Sequence, residues 1–110
     1  MKWMKITAAV KKDAESLLPV QTDWQVDPDI PVAIVPETVF KAVGVAPAGQ
    51  RTFFQADGSQ VVRKCGQAFF RIEMKTGVAE LAMGGPGDKP RLALSTLEAC
   101  GLDPRKFCLP

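Results

Sequence analysis

The side chains able to do chemistry in this chain are few in kind. Its 110 residues include 12 carboxylates, 14 basic side chains, three cysteines and no histidine. Without imidazole, Ser-His-Asp and Cys-His nucleophilic catalysis are excluded, as is any metal site that needs histidine. No Cys-x-x-Cys occurs, so a structural zinc site is not expected. Acid–base work must come from carboxylates, lysines or thiols. The most suggestive carboxylates are Asp27 and Asp29, either side of Pro28. Carboxylates in one loop can move a proton, cap backbone N–H groups or hold a cation. No fuller ligand set accompanies them, so no metal or cofactor is expected. A second candidate is Ala56-Asp57-Gly58-Ser59. Asp-Gly between apolar runs is a strong hairpin signal. The same sequence suits an ordinary tight turn or a flap over a ligand. Gly84-Gly85-Pro86-Gly87-Asp88 lacks the Gly-Lys-Ser/Thr ending of a phosphate loop and reads as a plain turn.

The remaining totals narrow the partners. A net charge of +2, spread over scattered residues such as the Lys11-Lys12 and Arg63-Lys64 pairs, implies no nucleic acid and reads as solvated surface. No apolar run approaches the roughly 18 residues of a membrane span. Met1-Lys2-Trp3-Met4-Lys5 has no continuous apolar region behind it, so no secretory signal is expected. Cys65, Cys100 and Cys108 lie in apolar contexts and read as buried free thiols, which suits the cytoplasm.

The elements that must position these residues are mostly strands, in one domain over residues 1–110. Residues 4–10 and 18–26 alternate apolar and polar side chains, with Pro19 at an edge or strand start. Residues 27–31 break the pattern as a loop. Val32-Ala33-Ile34-Val35 is a buried strand, Pro36 fits the first position of a helix through Val43, and Gly44 ends it. Arg51–Gln55 and Gln60–Lys64 form a hairpin whose second strand runs on to Ile72. Lys75-Thr76-Gly77 is read as the turn into Val78–Met83. Arg91–Leu94 is another strand, Ser95 and Glu98 form a capping box for a second helix, and Lys106–Leu109 is the last strand. Phe53, Phe54, Phe69 and Phe70 read as core and strand pairing. A faint repeat is visible: a buried strand enters a short helix that ends in glycine, at Gly44 and again at Gly101.

The order of these elements resembles that of retropepsin-like aspartic proteases, in particular their small bacterial clan. Val26-Asp27-Pro28-Asp29-Ile30 with its apolar continuation to Pro36 resembles the family's Val-Asp-Thr-Gly-Ala segment without gaps. Phe40–Val45 resembles the helix that follows, and Ala56-Asp57-Gly58-Ser59 the flap tip. Leu94-Ser95-Thr96-Leu97-Glu98-Ala99-Cys100-Gly101-Leu102 is similar to a family ending, Thr-Leu-Glu-Ala-Leu-Gly-Leu. The resemblance covers roughly residues 4–109. It implies a mostly β, closed barrel or sandwich protomer with two short helices. It also implies a homodimer in which each chain supplies one catalytic Asp27.

Two departures qualify the implied activity. The family's Asp-Thr-Gly is Asp27-Pro28-Asp29 here, and its apolar-apolar-Gly is Arg91-Leu92-Ala93. The family's threonine hydroxyl locks two loops across the dimer axis, and its glycines let backbone approach the carboxylates. Pro28 has neither hydroxyl nor N–H, while Asp29 and Ala93 add side chains. A family-like dimer would also gather two Asp27 and two Asp29 at one axis. The expected function is a degenerate domain without peptidase activity, acting in dimerisation or in binding a peptide or protein. The alternatives are an active homodimeric aspartic endopeptidase and an unrelated small β interaction domain.

Overall fold

The computed structural model describes residues 2–110. In chain order these form β1 (Lys2–Trp3), β2 (Lys5–Lys11), β3 (Val20–Val26), β4 (Ala33–Val35), α1 (Glu37–Val43), β5 (Gly49–Phe54), β6 (Gln60–Ile72), β7 (Lys75–Met83), β8 (Arg91–Leu92), α2 (Leu94–Ala99), a 3-10 turn (Pro104–Phe107) and β9 (Cys108–Leu109). The main sheet runs β2-β3-β8-β4-β7-β6-β5, and β2 also pairs with β6. Six strands therefore close into a ring, and β5 lies outside it as one arm of a hairpin. Closure removes the exposed strand edges that a small β protein must otherwise cover. The two terminal strands pair separately, Lys2 opposite Leu109 and Trp3 opposite Cys108.

Alternation in the sequence becomes the inside and outside of this ring. Ala8 and Val10 of β2, Trp24 and Val26 of β3, and Ala68, Phe70 and Ile72 of β6 all point into one core. Trp24 is fully buried, meets Phe70 edge to face at 5.9 Å between centroids, and donates its indole N–H to the Ala8 carbonyl at 3.2 Å. A smaller apolar cluster, Val32, Ile34, Cys65 and Ala82 with Ile30 and Phe53 against it, lies beneath the hairpin.

The faint repeat has a structural counterpart. β3 pairs in parallel with β8, and β4 in parallel with β7. β4 and β8 meet antiparallel between them, at Ile34 and Arg91. Each half thus contributes a strand, a loop, a short strand and a helix, and the two halves interlock. The loop that holds Asp27 lies beside the end of β8 because of this arrangement.

Several local expectations are corrected. The β6–β7 turn is Glu73-Met74, both with positive φ, while Lys75, Thr76 and Gly77 belong to β7. Gly77 is needed for close approach instead: a Cβ there would lie 2.2 Å from the Ala99 carbonyl oxygen. Pro36 stands at the cap position before α1, where its carbonyl accepts the Phe40 N–H at 2.9 Å. Ser95 is inside α2, not at its cap; the cap residue is Ala93, and Ser95 Oγ donates to the Pro31 carbonyl at 3.0 Å. β8 ends at Leu92, because the chain is already turning into α2. The first part of the expected last strand is the 3-10 turn, started by Asp103 accepting the Arg105 N–H. Leu17 and Leu18 precede β3 and are exposed.

Cys65 and Cys100 are buried, as read, but Cys108 is only half-buried. Burial pushes the Cys65 thiol up to about 11, helped by the neighbouring Glu80, and burial also raises Cys100. A thiol reagent at mildly alkaline pH is therefore expected to label one of the three cysteines in the folded chain, Cys108, and all three in denaturant. Rapid native labelling of Cys65 in a peptide digest would contradict this packing.

Candidate functional site

Asp27 follows β3 directly, and its N–H donates to the Leu92 carbonyl at 2.9 Å, which continues the β3–β8 pairing by one residue. Each oxygen of its carboxylate then accepts a hydrogen bond within its own chain. Oδ1 accepts the Asp29 N–H at 2.8 Å, and Oδ2 accepts Arg91 Nη1 at 3.2 Å. Arg91 also faces Asp88, with Nη2 4.0 Å from Oδ1. The Asp27–Arg91 pair is partly exposed, with side chains 20% and 34% accessible, so its contribution to stability is on the order of 1 kcal/mol. Its chemical effect is larger. A carboxylate dyad needs oxygens free to share a proton with a second carboxylate and a water. Here the backbone N–H of Asp29 reaches Oδ1, as backbone does in the family's loop, but an arginine cation holds Oδ2.

Pro28 and Asp29 are exposed, and Asp29 makes no ion pair among the described residues. The backbone N–H of Asp29 thus binds Asp27 while its side chain turns to solvent. Ala93 is fully buried with an extended backbone, φ −80° and ψ 157°, so it needs no glycine there. The Ser95–Pro31 bond ties the far end of the loop to α2.

The hairpin of β5 and β6 overhangs a cleft of about 500 Å³. Its loop wall includes Asp29, Ile30, Pro31 and Ile34; its hairpin wall includes residues 52–56, Val61 and Arg63; Gly84, Asp88 and Arg91 complete it. Of the expected tip residues only Ala56 lines the cleft. The others bond within the turn: Ser59 N–H and Oγ both donate to Asp57 Oδ1, at 2.9 and 2.6 Å, and the Gly58 N–H donates to the Gln55 carbonyl at 2.9 Å. These bonds hold the Asp57 carboxyl below its usual range. The phenylalanines do not form one cluster. Phe70 is core, Phe53 borders the smaller cluster, Phe69 lies under the Lys11 ammonium at 5.1 Å, and Phe54 is 74% exposed.

A second groove of similar size lies between β2 and the β6–β7 turn, lined by Lys11, Phe69, Arg71 and Glu73 among others. It contains none of the candidate site residues Asp27, Pro28, Asp29, Ala93 or Ala56 to Ser59. Beside the hairpin, Arg51 and Glu80 form a two-pronged pair that holds Glu80 below the usual carboxylate range. Among the described residues no three His, Cys, Asp or Glu side chains come together to hold a metal, and no helix is long and apolar enough to cross a membrane.

Sequence reading missed two cationic groups at this site. Arg91 appeared only as the neighbour of a lost glycine, and Arg63 as solvated surface. Arg63 was findable by period: it shares the inner face of β6 with Val61 and Cys65, two positions either way. Arg91 had no such signal, because its partner is 64 residues away.

No family profile matches the chain, and no curated protein sequence does. Solved structures do match it. The foamy viral protease-reverse transcriptase, solved with an RNA/DNA hybrid, superposes with a TM-score of 0.65 and 16% identity over 87% of this chain; that match spans only 12% of the much longer viral chain. The simian foamy virus (mac) protease gives 0.61 and 16% over 86% of this chain and 92% of its own. EIAV protease, solved with the inhibitor HBY-793, gives 0.64 and 8% over 93% and 91%. At these identities the likeness is one of fold. The closed ring, the interlocked halves, the overhanging hairpin and these superpositions together give the chain a retropepsin-like β fold.

Proposed function

We propose that this chain is a degenerate retropepsin-like domain of the small bacterial type, without peptidase activity, that serves as a binding module and associates as a homodimer. The observation that carries the reading is the ion pair from Arg91 to Asp27 Oδ2. The residues that replace the family's Thr, Gly and Gly, namely Pro28, Asp29 and Ala93, supply neither the hydroxyl lock nor the open backbone. The cleft remains, walled by apolar side chains with a few polar groups, as ligand sites commonly are. Three free cysteines accord with the cytoplasm. One observation favours the active homodimer instead: Asp27 keeps its place at the end of β3, beside β8.

The purified protein is expected to leave unstructured peptides uncut at every pH from about 3 to 7, the range in which a carboxylate dyad would work. The measurement is mass spectrometry of a peptide mixture after long incubation. Pepstatin-sensitive cleavage that disappears in Asp27→Asn would overturn the non-catalytic reading in favour of the active dimer.

A further inference from the structure

We propose that the cleft beneath the hairpin takes an extended acidic peptide segment, and that Arg63 is the residue that recognises its carboxylate. This rests on the cleft being a binding site and adds the chemical class of the ligand.

The arginines of this chain differ in how they are partnered. Arg51 pairs with Glu80, Arg91 with Asp27 and Asp88, and Arg105 with Asp103. Arg71 donates to the Met74 sulfur at 3.1 Å. The Arg63 side chain has no hydrogen bond or ion pair to any described residue, and Arg63, half-buried, lines the cleft. A guanidinium at the wall of a cleft that no carboxylate of the chain meets keeps its fork of donors open to a ligand.

The group is also seated rather than free to wander. A Cβ on Gly85 would lie 2.7 Å from Arg63 Nη2 and 3.2 Å from its Cζ. The absence of that Cβ lets the guanidinium rest against the backbone of the loop after β7. This loop is itself fixed: the Gly84 N–H donates to the Val35 carbonyl at 2.6 Å, and the Gly85 N–H to Asp88 Oδ2 at 2.7 Å. A head group placed in advance loses little freedom on binding. Its planar fork of donors matches a carboxylate in two-pronged geometry.

The charges around it define the complement. Asp88 is used by Gly85 and Arg91, and Asp27 by Arg91 and the Asp29 N–H, so neither answers Arg63. Asp29 stands exposed on the loop wall and disfavours a second acid there. The ligand therefore carries one carboxylate, flanked by apolar side chains for Ile30, Ile34, Phe53 and Val61. Both walls are strand or extended loop, which suits an extended segment whose side chains alternate between them.

The test uses three short, soluble, N-acetylated peptides: a C-terminally amidated one with a single Glu flanked by Val and Ile, its Gln counterpart, and the Gln peptide with a free C-terminal carboxylate. Binding is followed by amide chemical shifts at millimolar peptide. The Glu peptide is expected to shift Phe53, Val61 and Gly85, and to bind about tenfold more tightly than the amidated Gln peptide. Arg63→Gln is expected to remove that preference and Arg63→Lys to restore part of it. Gly85→Ala, which displaces the seat while leaving the charge, is expected to weaken it. Tight binding of the free-terminus peptide would identify a terminal carboxylate as the source.

Equal affinity for the Glu and Gln peptides in the wild type, equal affinity of wild type and Arg63→Gln for the Glu peptide, or no saturable binding of any probe would overturn the proposal. Cleavage is monitored in the same samples. Binding with Asp27-dependent cutting overturns the non-catalytic reading and leaves Arg63 standing. Absence of both binding and cutting overturns the Arg63 proposal alone.

Discussion

Gly77→Ala is expected to lower the stability of the folded chain by about 3 kcal/mol in urea unfolding at neutral pH, at the upper end of what overpacking costs. The new Cβ would meet Ala99 O at 2.2 Å, Ala99 C at 2.6 Å and Cys100 N at 2.9 Å. All three are backbone atoms at the end of α2, so no side chain can rotate away. β7 cannot retreat either, because it is laddered to β6 from Cys65–Ala82 to Ile72–Lys75, with Gly77 opposite Phe70 in the core. The clash must therefore move α2, which packs Leu97 into the core and holds the Asp27 loop through Ser95. Gly49→Ala is the control, since nothing lies within 4 Å of a Cβ there; its effect is expected to stay within about 0.5 kcal/mol. If the two variants unfold at the same urea concentration, the approach of α2 to β7 is not as close as described.

Rebuilding the family pattern with Pro28→Thr, Asp29→Gly, Ile30→Ala and Ala93→Gly is expected to tighten self-association about a hundredfold, read as the monomer–dimer dissociation constant in sedimentation velocity. Two effects contribute. A hydroxyl on each chain would add two hydrogen bonds across the axis, together about 1–3 kcal/mol. Losing both Asp29 side chains relieves like-charge repulsion. Two charges about 4 Å apart cost on the order of 4 kcal/mol at an effective dielectric near 20, but Asp29 is exposed, so screening reduces this to about 1 kcal/mol. The sum, near 3 kcal/mol, corresponds to about two factors of ten. Adding Arg91→Leu frees Asp27 Oδ2 from its ion pair, and weak pepstatin-sensitive cleavage is then expected. An unchanged sedimentation coefficient across the concentration series would rule out a dimer built on this loop.

Both predictions turn on contacts that differ in how visible they are along the chain. The alternation of residues 20–26 set Trp24 and Val26 inward without ambiguity, because a strand repeats every two residues and one face must leave water. The hairpin around Asp57-Gly58 and the end of α1 at Gly44 were equally legible, since each needs a left-handed residue at one place. Gly77 was misread for the same reason that those succeeded: a glycine near the end of a strand usually marks a turn. The actual turn used Glu73 and Met74, both in left-handed conformation without glycine. Ser95 was misread as a cap because the Ser-x-x-Glu spacing is local, whereas its bond to Pro31 is not.

The sequence by itself determined the mostly β class, the positions of two short helices, the inward faces of the strands, and the loop that sets Asp27 apart from the alternating run before it. These follow from short-range sterics and from the two- and 3.6-residue periods. Only the tertiary structure decided what Asp27 touches and which charge remains unanswered. Parallel pairing of β3 with β8 brings Arg91 to Asp27 across 64 residues, and the loop after β7 brings Gly85 beneath Arg63. Electrostatic partnership depends on distance in space and on burial, neither of which has a period along the chain. One of two aspartates in a loop therefore became an ion-paired one, and an arginine read as surface became the one guanidinium in the cleft that no described carboxylate meets.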